Sequence, residues 1–249
     1  MELKIQKQIL DNILTSLQPF LEKKDITAIT SHILISNDNN LLTFFATDYE
    51  IGLSGKSSDF TSISKGKTTV NGKKILDIVR RLKDGEVTLK YENDNVVITQ
   101  DKSRFKLPSF NADEFPNIPD YSNLPKIEIE SSKLINSIKK IIPAIDTNNP
   151  KYELNGALID IQEYSLNFVS TDTRRLAIVK FNNPSISKLS LIIPKKAIIE
   201  IQKLFFENIE LFYDDVNLVI KSENYLFFTK LMNGKYPDYE RIIPKDIKH

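Results

Sequence analysis

Apolar positions along the chain follow two rhythms. Ile9, Leu10, Ile13 and Leu17 recur at helical spacing, as do Ile75, Val79 and Leu82, then Leu134, Ile135, Ile138 and Ile142, and finally Ile198, Ile201 and Phe205. Steps of three and four residues lay an apolar stripe along one side of a helix. They predict helices over 5–18, 72–83, 131–142 and 194–206, with Ser131 as an N-cap and Pro194 suited to a helix start. Between them, short apolar runs predict strands over 32–36 with 41–46, 87–91 with 96–100, 157–161 with 165–170, and 209–213 with 216–222. Asp-Asn and Asp-Asp pairs inside the later two-strand units supply hairpin turn chemistry.

The order helix, strands, helix, strands occurs twice, and residue matches follow it. Leu42-Thr43-Phe44-Phe45-Ala46-Thr47-Asp48 reads against Leu166-Asn167-Phe168-Val169-Ser170-Thr171-Asp172, an offset of 172 − 48 = 124. Asn71 to Ile78 reads against Pro194 to Ile201 at offset 123, and the first helical stripe recurs in the third at offset 125. Phe105-Lys106-Leu107 leads to Phe115-Pro116 as Thr229-Lys230-Leu231 leads to Tyr236-Pro237, at offset 237 − 116 = 121. Matches that keep one order and nearly one spacing predict an internal repeat. The expected architecture is α+β, with two copies over 1–124 and 125–249, each an antiparallel sheet backed by two helices.

Composition narrows the chemistry. The 249 residues include no cysteine and two histidines, His32 and His249, which leaves no thiolate site and no Ser-His-Asp or multi-His metal centre. Seven glycines form no phosphate-cradling loop and no nucleophile–base pair assembles, so no catalytic residue, metal or cofactor is expected. No apolar run spans a bilayer and the N-terminus MELKIQKQIL lacks a signal-peptide core, so a cytoplasmic chain without membrane partners is expected. Net charge is +1, so any nucleic-acid contact must come from local basic faces.

The second helix of each copy offers such a face. At 100° per residue, Lys73, Asp77 and Arg80 lie opposite the first stripe, and Lys196, Glu200 and Lys203 opposite its counterpart. On one helix such a pattern is an ordinary solvated face with charge pairs one turn apart. Its recurrence at one place in both copies favours a surface that meets DNA phosphates without reading bases.

Thr47-Asp48 and Thr171-Asp172 each follow an apolar strand, where Thr and Asp ordinarily cap a turn. A metal-binding carboxylate pair is the weaker alternative. Only the second copy continues Thr173-Arg174-Arg175-Leu176-Ala177, and only it carries Gly234-Lys235-Tyr236-Pro237-Asp238-Tyr239-Glu240-Arg241-Ile242-Ile243-Pro244. With Leu154-Asn155-Gly156, these segments resemble the bacterial DNA polymerase III β-subunit family, the sliding clamps. Ala46-Thr47-Asp48 and Arg104-Phe105 extend the resemblance across the chain.

The resemblance implies a processivity factor that encircles duplex DNA and tethers the replicative polymerase. In that family three such domains make a subunit and two subunits close into a ring-shaped homodimer. It implies DNA contacts at Lys24, Lys73, Arg80, Asn148, Tyr152 and Lys196, joined by Lys203 from the helix pattern, although the loop at 146–150 is short for the family. It also implies a pocket for a short apolar peptide motif carried by the polymerase III α subunit, the clamp loader and repair polymerases. The pocket's wall would be Leu154, Thr171, Thr173, Arg174, Arg175, Leu176, Pro237, Arg241 and Ile242. Many members have Gly-His where Thr173-Arg174 stand, which bears on peptide preference.

The resemblance implies that the third clamp domain is absent, because the sequence stops at 244–249 where the family's second domain hands over to it. A fragment, monomeric in dilute solution, is therefore expected. Phe105 and Leu107 would form the ring-closing edge, both exposed, with Lys102, Arg104 and Lys106 opposing self-pairing by charge. The competing readings are a free-standing peptide-binding adapter that never loads on DNA and, with no supporting residues, an enzyme.

Overall fold

A computed structural model describes residues 1–25, 27–127, 129–182, 188–205 and 208–243. Phe206, at the predicted end of the fourth helix, and Pro244 of the Tyr-Pro segment lie outside the described residues. The chain forms two compact units, one of Met1–Asn123 with Val219–Phe228, the other of Leu124–Leu218 with the residues from Thr229 onward.

The first unit begins with β1 (Glu2–Gln6) and α1 (Lys7–Leu17), followed by β2 (His32–Asp38), β3 (Leu41–Thr47) and β4 (Ile51–Ser57). Next come β5 (Thr61–Ser64), β6 (Gly66–Asn71), α2 (Gly72–Arg81), β7 (Glu86–Glu92), β8 (Asn95–Gln100) and β9 (Ser103–Pro108). The second unit holds β10 (Lys126–Ile127), α3 (Ser131–Ile141), β11 (Gly156–Ile161), β12 (Ser165–Thr171) and β13 (Leu176–Asn182). After these come β14 (Leu189–Pro194), α4 (Lys195–Leu204) and β15 (Glu210–Tyr213), then β16 (Asn217–Lys221) and β17 (Tyr225–Lys230), whose residues between Val219 and Phe228 belong to the first unit.

The ladders β1-β7-β8-β9, β6-β2-β3-β4 and β14-β11-β12-β13 are antiparallel, and the strands of each unit divide into two sheets rather than one layer. The first unit orders β5-β1-β7-β8-β9 in one sheet and β6-β2-β3-β4 in the other, with β17 beside β4. The second unit orders β13-β12-β11-β14, with β10, β15 and β16 laddered separately. In each unit two helices pack together against the strands, α1 with α2 and α3 with α4. Their predicted stripes are buried: Ile75, Val79, Ile198, Ile201 and Phe205 are essentially solvent-free.

The repeat holds at the level of elements. Helix α3 starts 131 − 7 = 124 residues after α1, β12 starts 165 − 41 = 124 after β3, and α4 starts 195 − 72 = 123 after α2. Strand β17 starts 225 − 103 = 122 after β9, which sets Phe105 against Phe227 rather than Thr229.

Two local expectations are corrected. The first helix begins at Lys7, because Leu3 and Ile5 alternate inward along β1 and are buried there. Ser131 is the first residue of α3, and its N-cap is Glu130, which makes no side-chain cap. Asn71 does cap α2, its Oδ1 accepting from the Lys74 backbone N–H at 3.0 Å. The β7–β8 hairpin turns through Asn93 and Asp94, both with positive φ, as the two-residue turn requires.

Candidate peptide pocket and nucleic-acid faces

The Thr-Asp turn is built identically in both copies. Thr47 Oγ1 donates to Ile51 O at 2.8 Å and accepts from Tyr49 N at 3.0 Å, while Asp48 Oδ1 accepts from Glu50 N and Ile51 N. In the second copy Thr171 Oγ1 donates to Arg175 O at 2.7 Å and accepts from Thr173 N at 3.2 Å. Asp172 Oδ1 accepts from Arg174 N and Arg175 N, each at 3.1 Å. The third residue of each turn, Tyr49 or Thr173, sits at φ 72°. Both aspartates cap backbone N–H groups, the turn reading rather than the metal reading.

Asp172 also bonds a side chain of its own turn. Arg175 Nε donates to its Oδ2 at 2.8 Å, and this bond, with the backbone N–H groups, holds the carboxyl below the usual aspartate range. Position 175 corresponds to Ile51, which is buried.

Beyond the second turn lies a cavity of about 430 Å³. Six residues of the expected wall line it: Thr171, Thr173, Arg174, Arg175, Leu176 and Ile242. Ile178 and Ile243 join them. Strand alternation from Leu176 is the signal that would have found Ile178, since residues two apart share a face. Three expected residues stand apart. Leu154 is buried in a cluster with Leu158, Val169, Ile192, Met232, Tyr236 and Tyr239, against which Leu176 and Ile178 pack, so it supports the wall rather than lining it. Pro237 lines a neighbouring cavity of about 600 Å³, and Arg241 turns outward to Asp238, its Nε 2.7 Å from Oδ2.

Two buried tyrosines fix the segment that carries Ile242. The Tyr236 hydroxyl accepts from Thr171 N at 3.1 Å, and burial pushes its pKa up to about 12. The Tyr239 hydroxyl donates to Asp160 Oδ2 at 2.6 Å and accepts from Asn167 Nδ2 at 3.0 Å. Burial first, and this bond to Asp160 second, push its pKa well above the ordinary tyrosine value.

The basic positions occur in both units. Lys73 and Lys196 are exposed in the first turns of α2 and α4, turns that carry no acidic residue. Arg80 is half-satisfied within the fold, its Nη2 donating to Thr15 Oγ1 at 3.2 Å and its Nε 3.5 Å from Asp11 Oδ1. On α4 the expected outward triad is corrected at Glu200, which is largely buried and accepts from Lys203 Nζ at 3.0 Å. The lysine stem reaches back one turn and covers the carboxylate.

Lys24 is exposed, and its backbone N–H donates to Glu22 Oε1 at 2.6 Å. Asn148 projects from a loop held at both ends: Asn149 N donates to Asn155 Oδ1 at 2.7 Å, and Lys195 Nζ donates to Thr147 Oγ1 at 2.6 Å. Tyr152, just beyond, is 65% exposed.

Strand β9 ends its sheet. Phe105 is 38% exposed as expected, but Leu107 is only 8% exposed, a correction. Both line a shallow cavity of about 310 Å³ against α2, beside Ile78 and the stems of Lys74 and Arg81, and that helix covers Leu107. Arg104 is paired with Glu92 at 2.7 Å, so its charge does less to oppose pairing than expected.

Comparison with known proteins places this geometry. The family model "DNA polymerase III beta subunit, N-terminal domain" matches residues 1–119, and its central-domain counterpart matches 128–238. The beta sliding clamp of Helicobacter pylori strain J99 is 41% identical over 252 residues, covering 99% of this chain and 67% of the relative. The crystal structure of the Helicobacter pylori beta clamp bound to a DNA ligase peptide superposes with a TM-score of 0.94 at 40% identity, covering 99% of this chain and 70% of that one. The DNA polymerase III subunit beta of Pseudomonas aeruginosa gives 0.92 at 27% identity, covering 99% and 69%. With two successive domain models matched and such identity along its whole length, this chain belongs to the DNA polymerase III beta subunit family, the beta sliding clamps.

Proposed function

We propose that the chain serves as a sliding clamp, a processivity factor for DNA replication that holds duplex DNA and tethers the polymerase III α subunit, the clamp loader and repair polymerases. It acts in the cytoplasm and catalyses nothing itself. The observation that carries the reading is the cavity beyond the second Thr-Asp turn. Its apolar wall of Leu176, Ile178, Ile242 and Ile243 suits a Leu or Phe anchor, and Arg174 and Arg175 at the rim suit the polar groups of a peptide. The Helicobacter pylori relative, in its structure, carries a DNA ligase peptide.

For DNA, the support is Lys73 and Lys196 in the first turns of α2 and α4. A helix dipole disfavours positive charge there, so helix stability does not account for the recurrence. Lys24, Arg80, Asn148, Tyr152 and Lys203 complete the proposed DNA contacts. Strand β9, with Phe105, is the proposed ring-closing edge of a homodimer. Strand β17 illustrates such a strand once covered: Phe227 beside β4 is fully buried, its ring edge-on to Phe20 at 5.9 Å.

Calorimetry with the DNA ligase peptide tests the pocket, and a salt titration on a long duplex tests the faces. Substitution of Lys73, Arg80, Lys196 and Lys203 by Glu should weaken DNA binding and reduce the salt slope by about 0.9 per lost phosphate contact. No peptide binding, together with an unchanged slope, would overturn the reading.

A further inference from the structure

The cavity's outer wall, Ile242, stands on a short turn, Tyr239–Ile242, that follows β17. A single helical turn at a chain's periphery has no stability of its own. Its fixation must come from side chains. Among the described residues Arg241 pairs with Asp238 three residues earlier, a bond that ties the turn to its own start. Ile242 is 60% exposed and contributes little burial. What fastens the turn to the β11–β12 ladder is Tyr239. Its ring is buried, and its hydroxyl lies between Asp160 on β11 and Asn167 on β12.

These two partners are cross-strand neighbours in register, Asp160 opposite Asn167. The rest of the network serves the same end. Gln162 Nε2 donates to Asp160 Oδ1 at 2.7 Å, leaving Oδ2 to the tyrosine. Asn167 donates both to Tyr239 and to Ser165 Oγ, while its own Oδ1 accepts nothing among the described residues. A buried polar network with an unsatisfied member is a poor way to stabilise a sheet; an apolar pair would serve better. It does supply direction. The three groups admit one placement of the Tyr239 ring, and hence of the backbone that carries Ile242.

We infer that the Tyr239–Asp160–Asn167 network is a positioning device that preforms the peptide pocket, holding the Tyr239–Ile242 turn so that Ile242 closes the wall facing Leu176. The inference rests on the reading of the cavity as a peptide site. Tyr236, bonded to Thr171 N, registers the opposite wall from the same segment, so the two tyrosines set the spacing between walls. With a preformed wall, binding need not meet the entropy cost of ordering it.

The experiment compares wild type, Tyr239→Phe, Asp160→Ala and Asp160→Asn in two measurements at a temperature far below melting. The first is amide hydrogen exchange without ligand. Tyr239→Phe and Asp160→Ala should raise exchange at 240–243 at least tenfold and leave 165–171 protected. Asp160→Asn, which keeps an acceptor for the hydroxyl, should stay near wild type. The second is the Kd for a fluorescein-labelled copy of the DNA ligase peptide, expected to rise about tenfold in the first two variants and little in the third.

A network that merely stabilises the fold would lower Tm while leaving Kd and local exchange unchanged at low temperature. Unchanged exchange at 240–243 in Tyr239→Phe overturns the proposal, as does unchanged Kd where wild type binds. Should wild type bind no peptide, the pocket reading fails, and the exchange measurement alone then decides whether the network positions the turn.

Discussion

The two Thr-Asp turns share their hydrogen bonds, their left-handed third residue and their place at the end of an apolar strand, yet one is sealed and the other is open. The difference begins one residue after each turn. Gly52 follows the first, and Phe228 lies so close that a Cβ there would stand 2.2 Å from its ring. That ring also meets Phe45, with centroids 6.3 Å apart. Leu176 follows the second turn on β13, which ends its sheet, and a cavity of about 430 Å³ remains beside it. The residue before Gly52 or Leu176 changes in step, from buried Ile51 to exposed Arg175 paired with Asp172. A repeated turn is therefore a scaffold. Whether it carries a site depends on what packs against the next side chain.

Transplanting the difference should give the largest effect. Gly52→Leu forces the Phe228 ring out of a packed position, with an expected loss of about 3 kcal/mol in urea denaturation. A neutral result would mean that the ring is not seated on Gly52. At the open turn, Leu176→Asp places an unpaired charge against the apolar wall. Peptide affinity should fall by about 2 kcal/mol, roughly 30-fold. Equal calorimetric affinity for both proteins would remove Leu176 from the pocket.

Smaller effects sharpen the likeness. Tyr49 and Thr173 both occupy φ 72°, a region costly for L-residues and most unusual for a β-branched one. Glycine at either position should stabilise the chain by about 1 kcal/mol, read as a Tm increase of a few degrees. If only Thr173→Gly also changes peptide preference, strain and specificity coincide at the open turn alone.

Acid should separate the copies as well. His32, which opens β2, is buried against Phe110 and Thr69, and burial, aided by Lys74, lowers its pKa from 6.5 to about 4. Its counterpart, 32 + 124 = 156, is Gly156. Between those pH values the unfolded chain binds the proton that the folded one refuses. Stability should therefore decline from pH 6.5 towards 4, by about 1 kcal/mol after allowing for partial hydration. His32→Asn should flatten that decline in pH-dependent thermal melts. Asp172, with its lowered pKa, contributes at neutral pH and loses its contribution only at more acid values, as pH falls through its folded pKa.

Period and spacing in the amino-acid order are local quantities, and what they encode was legible. Helical stripes such as Ile75 and Val79, the 124-residue repeat and the Thr-Asp turn all follow from covalent neighbours and side-chain chemistry. The family resemblance in Thr171 to Ala177 and Gly234 to Pro244 likewise lay in residue identity. Tertiary structure alone decided which of those side chains face a cavity. Leu154 retreats under Tyr236 and Tyr239, Pro237 turns to a different hollow, Glu200 folds beneath Lys203, and α2 covers Leu107. Burial of a side chain depends on what a distant segment lays over it. That is why two copies of one turn, alike in sequence and in hydrogen bonds, end as a sealed contact under Phe228 and an open pocket beside Leu176.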